Sequence, residues 1–438
     1  MLELLGSGLM TMWLDMAGVQ VKPMEALEAL TWQTGPGFVV APDPNPVAAK
    51  TVQEYLDGLV KSKLIGAELS PNQGIWMQSG PMLMSNHQGT TPLPAASLTK
   101  IATSLATFHI LGPNHQFQTL VSTTGPINNG VLEGDLIVTG GGDPLFVWEE
   151  AITLGNTLNK MGIKQVKGNL LIGGTFAMNF QRNPLLAGEV LKQTLNFSTW
   201  GRNQEYGYRI MPKGTPKPKV VITGPVKLQE QPIQAKVLIR HRSLPLKELI
   251  NEMNVFSQND IAQMLADSVG GHTIVAATAA KLARVPESEI LLINGSGLGP
   301  ENRISPRAAC AMLMALQREA VPHQLTIADL LPTAGFDSRG TTYNRTMPKT
   351  TPFKTGTLRD VSALAGVLPT RDRGLVWFAI INRGPQVSAF RQQQDILLKN
   401  IQKLLQPTTE VPTAIAPNFI PKKIPQLGGA NRTEVLGS

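Results

Sequence analysis

Ser97 and Lys100 stand three residues apart in the stretch PAASLTKIATSLATFHILG (94–112). At i and i+3 on a helix, two side chains share a face and can touch. A hydroxyl beside an amine pairs a nucleophile with a base, provided burial or a neighbouring positive charge lowers the amine pKa. A lone pair at this spacing is more often a helix-capping serine followed by a solvated lysine. Two further groups change that weighing. Lys354-Thr355-Gly356-Thr357 lies in a stretch of strand character, and Ser257 and Asn259 lie in SQN just ahead of a helix. These types suit acyl transfer through a serine ester. Ser97 would attack, Lys100 would take its proton, and Lys354 would supply the neighbouring charge and a seat for a substrate carboxylate. Asn259 could orient the amide side of a peptide, and Ser257 could relay a proton to the departing amine. The backbone N–H groups of Ser97 and Thr357 suit an oxyanion hole. Gly356 would let a substrate backbone lie along the strand edge.

A helix, a loop and a strand must position these groups. Val52, Tyr55, Leu56, Leu59 and Val60 recur at helical spacing and predict a helix over 48–63. GIWMQSG (74–80) reads as a strand. The helix from Ser97 ends near Leu111, before Gly112-Pro113. From about residue 115, short β-like runs alternate with turns, among them GDLIVTGGGDP and KGNLLIGG. Helical periodicity returns at 257, with Ile261, Met264, Leu265 and Val269 on one stripe. Residues 305–330 give two more helices. PFKTGTL, VSALAGVL and GLVWFAIIN are strands, the last two joined by the hairpin PTRDR, and Phe390 to Leu405 is a final amphipathic helix. The expected organisation is a lead-in over 1–45, a discontinuous domain of 46–120 and 246–405, an inserted β-rich basic domain over 121–245, and a disordered Pro-rich tail over 406–438.

The 438 residues are 42% hydrophobic and 16% charged, which fits a globular α/β or α+β protein of about two domains. No run of 18 apolar residues exists, so no ordinary membrane-spanning helix is expected. LLGSGLMTMWL near the N-terminus is apolar enough for a secretory segment, but Glu3 precedes it and the first basic residue is Lys22, so it is a poor signal. The single cysteine, Cys310, excludes an internal disulfide and argues against a zinc finger. The histidines show no metal spacing, and neither a metal nor a cofactor is expected. Asp143 in GGGDP and Ser296 in NGSGLG read as turn chemistry. From Phe180 to Ile250 there are 12 Lys/Arg against four acids, an excess equal to the net charge of +8 of the whole chain. Its aromatics do not alternate with basic residues as a nucleic-acid stacking platform would, so no nucleic acid is expected. A solvated face or an anionic envelope surface remain as readings of the patch.

S-x-x-K, S-x-N and K-T-G in this order form the signature of serine acyl-transferases that react with penicillin. With PAASLTK, GDLIVTGGGDPLF, NGSGLGPENRISP and LLPTAGFDSRG ahead of FKTGTL, the chain resembles the class C low-molecular-mass penicillin-binding proteins, the D-alanyl-D-alanine carboxypeptidase/endopeptidase family, over residues 70–405. The resemblance implies a transpeptidase-like α/β (α+β) fold, an antiparallel sheet flanked by helices with an inserted second domain. It implies Ser97 as acylated nucleophile, Lys100 as base, Ser257 and Asn259 as second-motif groups, and Lys354, Thr355 and Thr357 as binders of the terminal carboxylate. Arg345, in YNRT, matches a family arginine near the pocket. Peptidoglycan stem peptides and β-lactams are the implied partners, and the cell envelope or periplasm the implied location. The chain departs from the pattern in three places, one being the poor N-terminal signal, which sits badly with a substrate outside the cytoplasm. Only 160 residues separate Ser97 from Ser257, and Gly173-Gly174 replaces an acid that helps hold the free amine of the stem. A β-lactamase or esterase on the same fold, or a weakly active penicillin-binding scaffold, are the competing functions. The class A β-lactamase route needs a deacylating glutamate between the second and third motifs, and none is evident.

Overall fold

The computed structural model describes residues 41–418 and 427–436, apart from 67, 69–71 and 344. The apolar N-terminal segment lies outside the described residues. The chain divides into two compact units, one of residues 1–111 with 250–420 and the other of 112–249 with 421–438.

The first unit is built on one sheet. Its strands are β1 (Gly74–Ser79), β2 (Met82–His87), β3 (Phe353–Leu358), β4 (Val361–Thr370) and β5 (Gly374–Arg383), in the order β2-β1-β5-β4-β3, with Ala41–Pro42 added beside β2. The five long strands pair antiparallel. All ten residues of β4 are buried, so it reads as a continuous apolar run rather than an alternating one. On one face, helix α1 (Val47–Lys61) and the last long helix bury Val52, Leu56, Leu59, Phe390, Leu398 and Ile401 against Ile75, Leu364, Phe378 and Ile380. Helix α2 (Thr99–Leu111), α3 (Asn259–Ser268), α4 (His272–Ala283) and α5 (Pro306–Ala320) pack among themselves, and α5 packs on β5 and β1. Ser305 caps α5 by accepting from Ala308 N, with Pro306 at the first helical position. The last long helix, α6, runs Val387–Leu404. β3 ends the sheet, and its outer edge packs on the turn that carries Ser97.

The second unit is less purely β than its sequence texture suggests. Strands 136–141, 170–175 and 226–228 lie parallel, and helices Trp148–Lys160 and Pro184–Thr194 fall between them in the chain, with a third helix at Arg202–Ile210. The first of these helices hides from a pattern search because its buried residues include Glu149, Glu150, Thr153 and Asn156 beside the apolar ones. The expectation of a disordered tail over 406–438 is also corrected for its described residues, 406–418 and 427–436. Thr433–Val435 pair antiparallel with 239–241, and Arg432 donates to the buried carboxylate of Glu150 at 2.5 Å and to the carbonyl of Arg242 at 2.8 Å. His241 Nε2 lies 3.1 Å from the same carboxylate. Burial alone would raise the Glu150 pKa. The His241 hydrogen bond and the Arg432 charge reverse that and hold it below the ordinary value. Arg432→Met is expected to cost about 3 kcal/mol, because it strips a buried carboxylate of its main counter-charge. Thermal melting of the variant checks this, and an unchanged melting curve would show that the tail contributes nothing.

Candidate active site

Every group of the site comes from the first unit. Ser97 sits in a single 3-10 turn, Ala96–Leu98, that leads into α2. Ala96 holds a left-handed φ of 49°, unusual for a residue with a side chain and the kind of strain that tight functional turns store. Two glycines let the chain press on this turn. A Cβ on Gly356 would stand 2.8 Å from the Ala95 carbonyl, and one on Gly297 would collide with the Ala96 carbonyl. The glycine of K-T-G therefore serves the approach of β3 to the turn that carries Ser97, a reason different from the one the sequence suggested.

Lys100 lies in the first turn of α2 and is fully buried. Its Nζ is 3.0 Å from Ser97 Oγ, 2.7 Å from Asn259 Oδ1 and 2.7 Å from the Ser296 carbonyl. Burial brings its pKa down to about 7. A neutral amine has two N–H donors and one lone pair. Asn259 Oδ1 and the Ser296 carbonyl can only accept, so they take the two donors. The lone pair is left for the Ser97 hydroxyl. In the neutral amine the geometry thus turns the lone pair toward Ser97 Oγ, the direction a general base requires.

Lys354 forms a second pair. It is also fully buried, and its Nζ donates to Ser257 Oγ and to the Thr355 carbonyl, both at 2.9 Å. Burial, and then the charge of Lys100, push its pKa well below the usual lysine range. Ser257 is itself left-handed, with φ 55°. Thr355 is buried and Thr357 exposed, both on one side of β3.

The model of the D-Ala-D-Ala carboxypeptidase 3 (S13) family matches residues 76–189 and 186–403. The chain belongs to that family. It is 23% identical over 388 residues to the D-alanyl-D-alanine carboxypeptidase DacB of Haemophilus influenzae, covering 67% of this chain and 80% of the relative. Among solved structures it is similar to a predatory peptidoglycan endopeptidase from Bdellovibrio bacteriovorus, with TM-score 0.68 and 20% identity over 83% of this chain and 98% of that one. The penicillin G-acylated form of that endopeptidase, in complex with an immunity protein, matches with TM-score 0.64 and 22% identity over 76% and 91% of the two chains. The fold is that of the penicillin-recognising serine peptidases, as the resemblance implied.

Within this S13 chain, Ser97, Lys100 and Asn259 are brought together, and so are Lys354, Ser257 and Thr355. Asn259 turns its carbonyl oxygen toward Lys100 Nζ. Arg345 is not at the pocket. Its guanidinium is spent on Asp395, with Nε at 2.9 Å and Nη2 at 2.6 Å, and its side chain is only 4% exposed. Sequence reasoning missed Ser296, whose contribution is a carbonyl and so leaves no trace in residue type. The cue was Gly297, with φ 83° in a loop whose Asn294 Oδ1 accepts from both Ser296 N and Gly297 N. In the second unit, Gly174 takes φ 62° at a place where a Cβ would meet the Gly140 carbonyl. The backbone there calls for glycine, so the family acid has no counterpart at 174.

Proposed function

We propose that the protein is a serine DD-peptidase that cleaves terminal D-Ala, or D-Ala cross-links, of peptidoglycan through an ester on Ser97. The buried Lys100 amine, with two of its three neighbours able only to accept, carries this reading. Lys100 takes the Ser97 proton as Oγ attacks the carbonyl of the penultimate D-Ala. The backbone N–H groups of Ser97 and of Thr357, on the edge strand β3, face the oxyanion. When the C–N bond breaks, the departing amine takes a proton from Ser257, and the proton that Lys100 took from Ser97 passes through the hydrogen-bonded Lys354–Ser257 pair to replace it, which leaves Lys100 neutral. Water then attacks the ester, with Lys100 again as base. A β-lactam carries the same acyl group and carboxylate on a ring, so it acylates Ser97 and stays. The penicillin-acylated Bdellovibrio relative supports this step. Incubation with purified muropeptides, with products identified by mass, tests the reading. Loss of one alanine or scission of a cross-link is expected, and unchanged muropeptides would refute it.

The substrate lies outside the cytoplasm, and we place the enzyme in the cell envelope on that ground. Among the described residues no helix is long and apolar enough to cross a membrane. The basic stretch of 180–250 serves, in this reading, as a tether to anionic wall polymer. Part of its charge is spent within the unit, since Arg240 and Arg242 bond Glu434 and Lys217 bonds Glu205. Arg202, Arg209, Lys213 and Lys219 remain exposed. Pelleting with cell-wall sacculi is expected to fall steeply as salt rises from about 0.1 M to about 1 M, while penicillin labelling stays level. Pelleting indifferent to salt would rule out the tether.

A further inference from the structure

The hydroxyl row of the third motif ends at Thr357, and a cation stands at that end. Arg391, in the second turn of α6, donates from Nη2 to Thr357 Oγ1 at 2.7 Å. It is half-buried, and among the described residues this is its one recorded partner. The acid one turn along, Asp395, is occupied: it accepts from Arg345 through Oδ1 and from Thr346 N at 2.8 Å through Oδ2. Arg345 therefore takes that carboxylate, and the hydrogen bond of Arg391 goes to Thr357 instead. Helix stability does not account for it either. A cation near a helix N-terminus opposes the macrodipole, and the first turn of α6 has no acid to offset it.

Its position is nevertheless fixed. Arg391, Gln394 and Asp395 lie on one helix face. Gln394 donates to the Ser362 carbonyl at 3.0 Å and to Asn382 Oδ1 at 2.8 Å, and Tyr55 O–H donates to the same Asn382 oxygen at 2.8 Å. Ser362 is the cross-strand partner of Thr357. A buried polar network thus anchors the helix face beside the last residue of the motif, and the arginine extends from it to that residue.

We propose that Arg391 reads the free α-carboxylate of the substrate and so sets the preference for peptides that end there. One edge of the planar guanidinium is held by Thr357, and its other N–H donors remain for a carboxylate seated by Thr355 and Thr357. This rests on the DD-peptidase reading. It adds the residue that supplies a permanent positive charge to the carboxylate seat, a role a lysine held well below its usual pKa fills poorly.

The test compares acylation by benzylpenicillin, which carries the carboxylate, with acylation by its methyl ester, which does not. Second-order rates are measured for the parent, Arg391→Gln and Arg391→Lys, with melting temperatures alongside. The parent is expected to favour the acid strongly. Arg391→Gln should shrink the acid-to-ester ratio by about 10- to 100-fold, with little change in melting, and Arg391→Lys should recover part of the ratio. A ratio unchanged in Arg391→Gln, whatever the absolute rates, would overturn the role of the arginine and leave the DD-peptidase reading standing. A parent protein labelled by neither compound would sink that reading and this inference with it.

Discussion

Lys100→Met is expected to slow acylation by penicillin by about 10³-fold, within the range of 10²–10⁴ that a positioned general base supplies. The methionine fills a similar volume, so the buried site stays packed while the proton acceptor is lost. The parent carries the complementary signature in its pH profile. Burial puts the Lys100 pKa at about 7, so the acylation rate should rise as pH passes through 7 and level off above it. The same shift acts on stability. Between about 7 and the ordinary lysine value the unfolded chain holds a proton that the folded chain does not, so this group's contribution to stability grows with pH across that window. Below 7 the ammonium is buried at a cost, and Lys100→Met should then melt higher than the parent. Labelling rates and melting curves from about pH 5 to about pH 9 check both halves. A flat rate profile, or a methionine variant that labels at the parental rate, would remove Lys100 from the role of base.

Much of this site was legible because its chemistry lives in side chains at fixed spacing. Ser97 and Lys100 are one helical turn apart, and Lys354 and Thr355 lie on a strand whose apolar neighbours announce it. The helices of the first unit were legible for the same reason: the stripe of Val52, Leu56 and Leu59 is one face of α1. Illegible parts were those that work through backbone or through distant pairing. The Ser296 carbonyl that takes a Lys100 proton donor belongs to a turn 196 residues further along the chain. The role of Gly356 is an absence of atoms beside the Ala95 carbonyl, which only the packed structure displays. Arg345 looked like a pocket residue by motif, but Asp395, 50 residues on, claims it in the fold. The helix at Trp148–Lys160 was hidden by buried acids, and the use of one of them emerges only when Arg432 arrives from the chain end.

Ser97→Ala is expected to lower turnover by a factor on the order of 10⁶, the scale on which a serine hydrolase loses activity with its nucleophile. Nothing else in the site substitutes for that oxygen. Ser257 Oγ is held by Lys354 at 2.9 Å, and Ser296 Oγ is bonded to Asn294 at 3.0 Å. The central claim is that the ester forms on Ser97, and mapping the penicillin adduct reads that bond directly. Parent protein and Ser97→Ala are incubated with benzylpenicillin, digested, and every modified peptide is sequenced by mass spectrometry. The adduct is predicted on Ser97 in the parent and on no residue in the variant. An adduct on Ser257, on Ser296 or elsewhere in the parent, or labelling of the alanine variant at the parental level, would contradict the account.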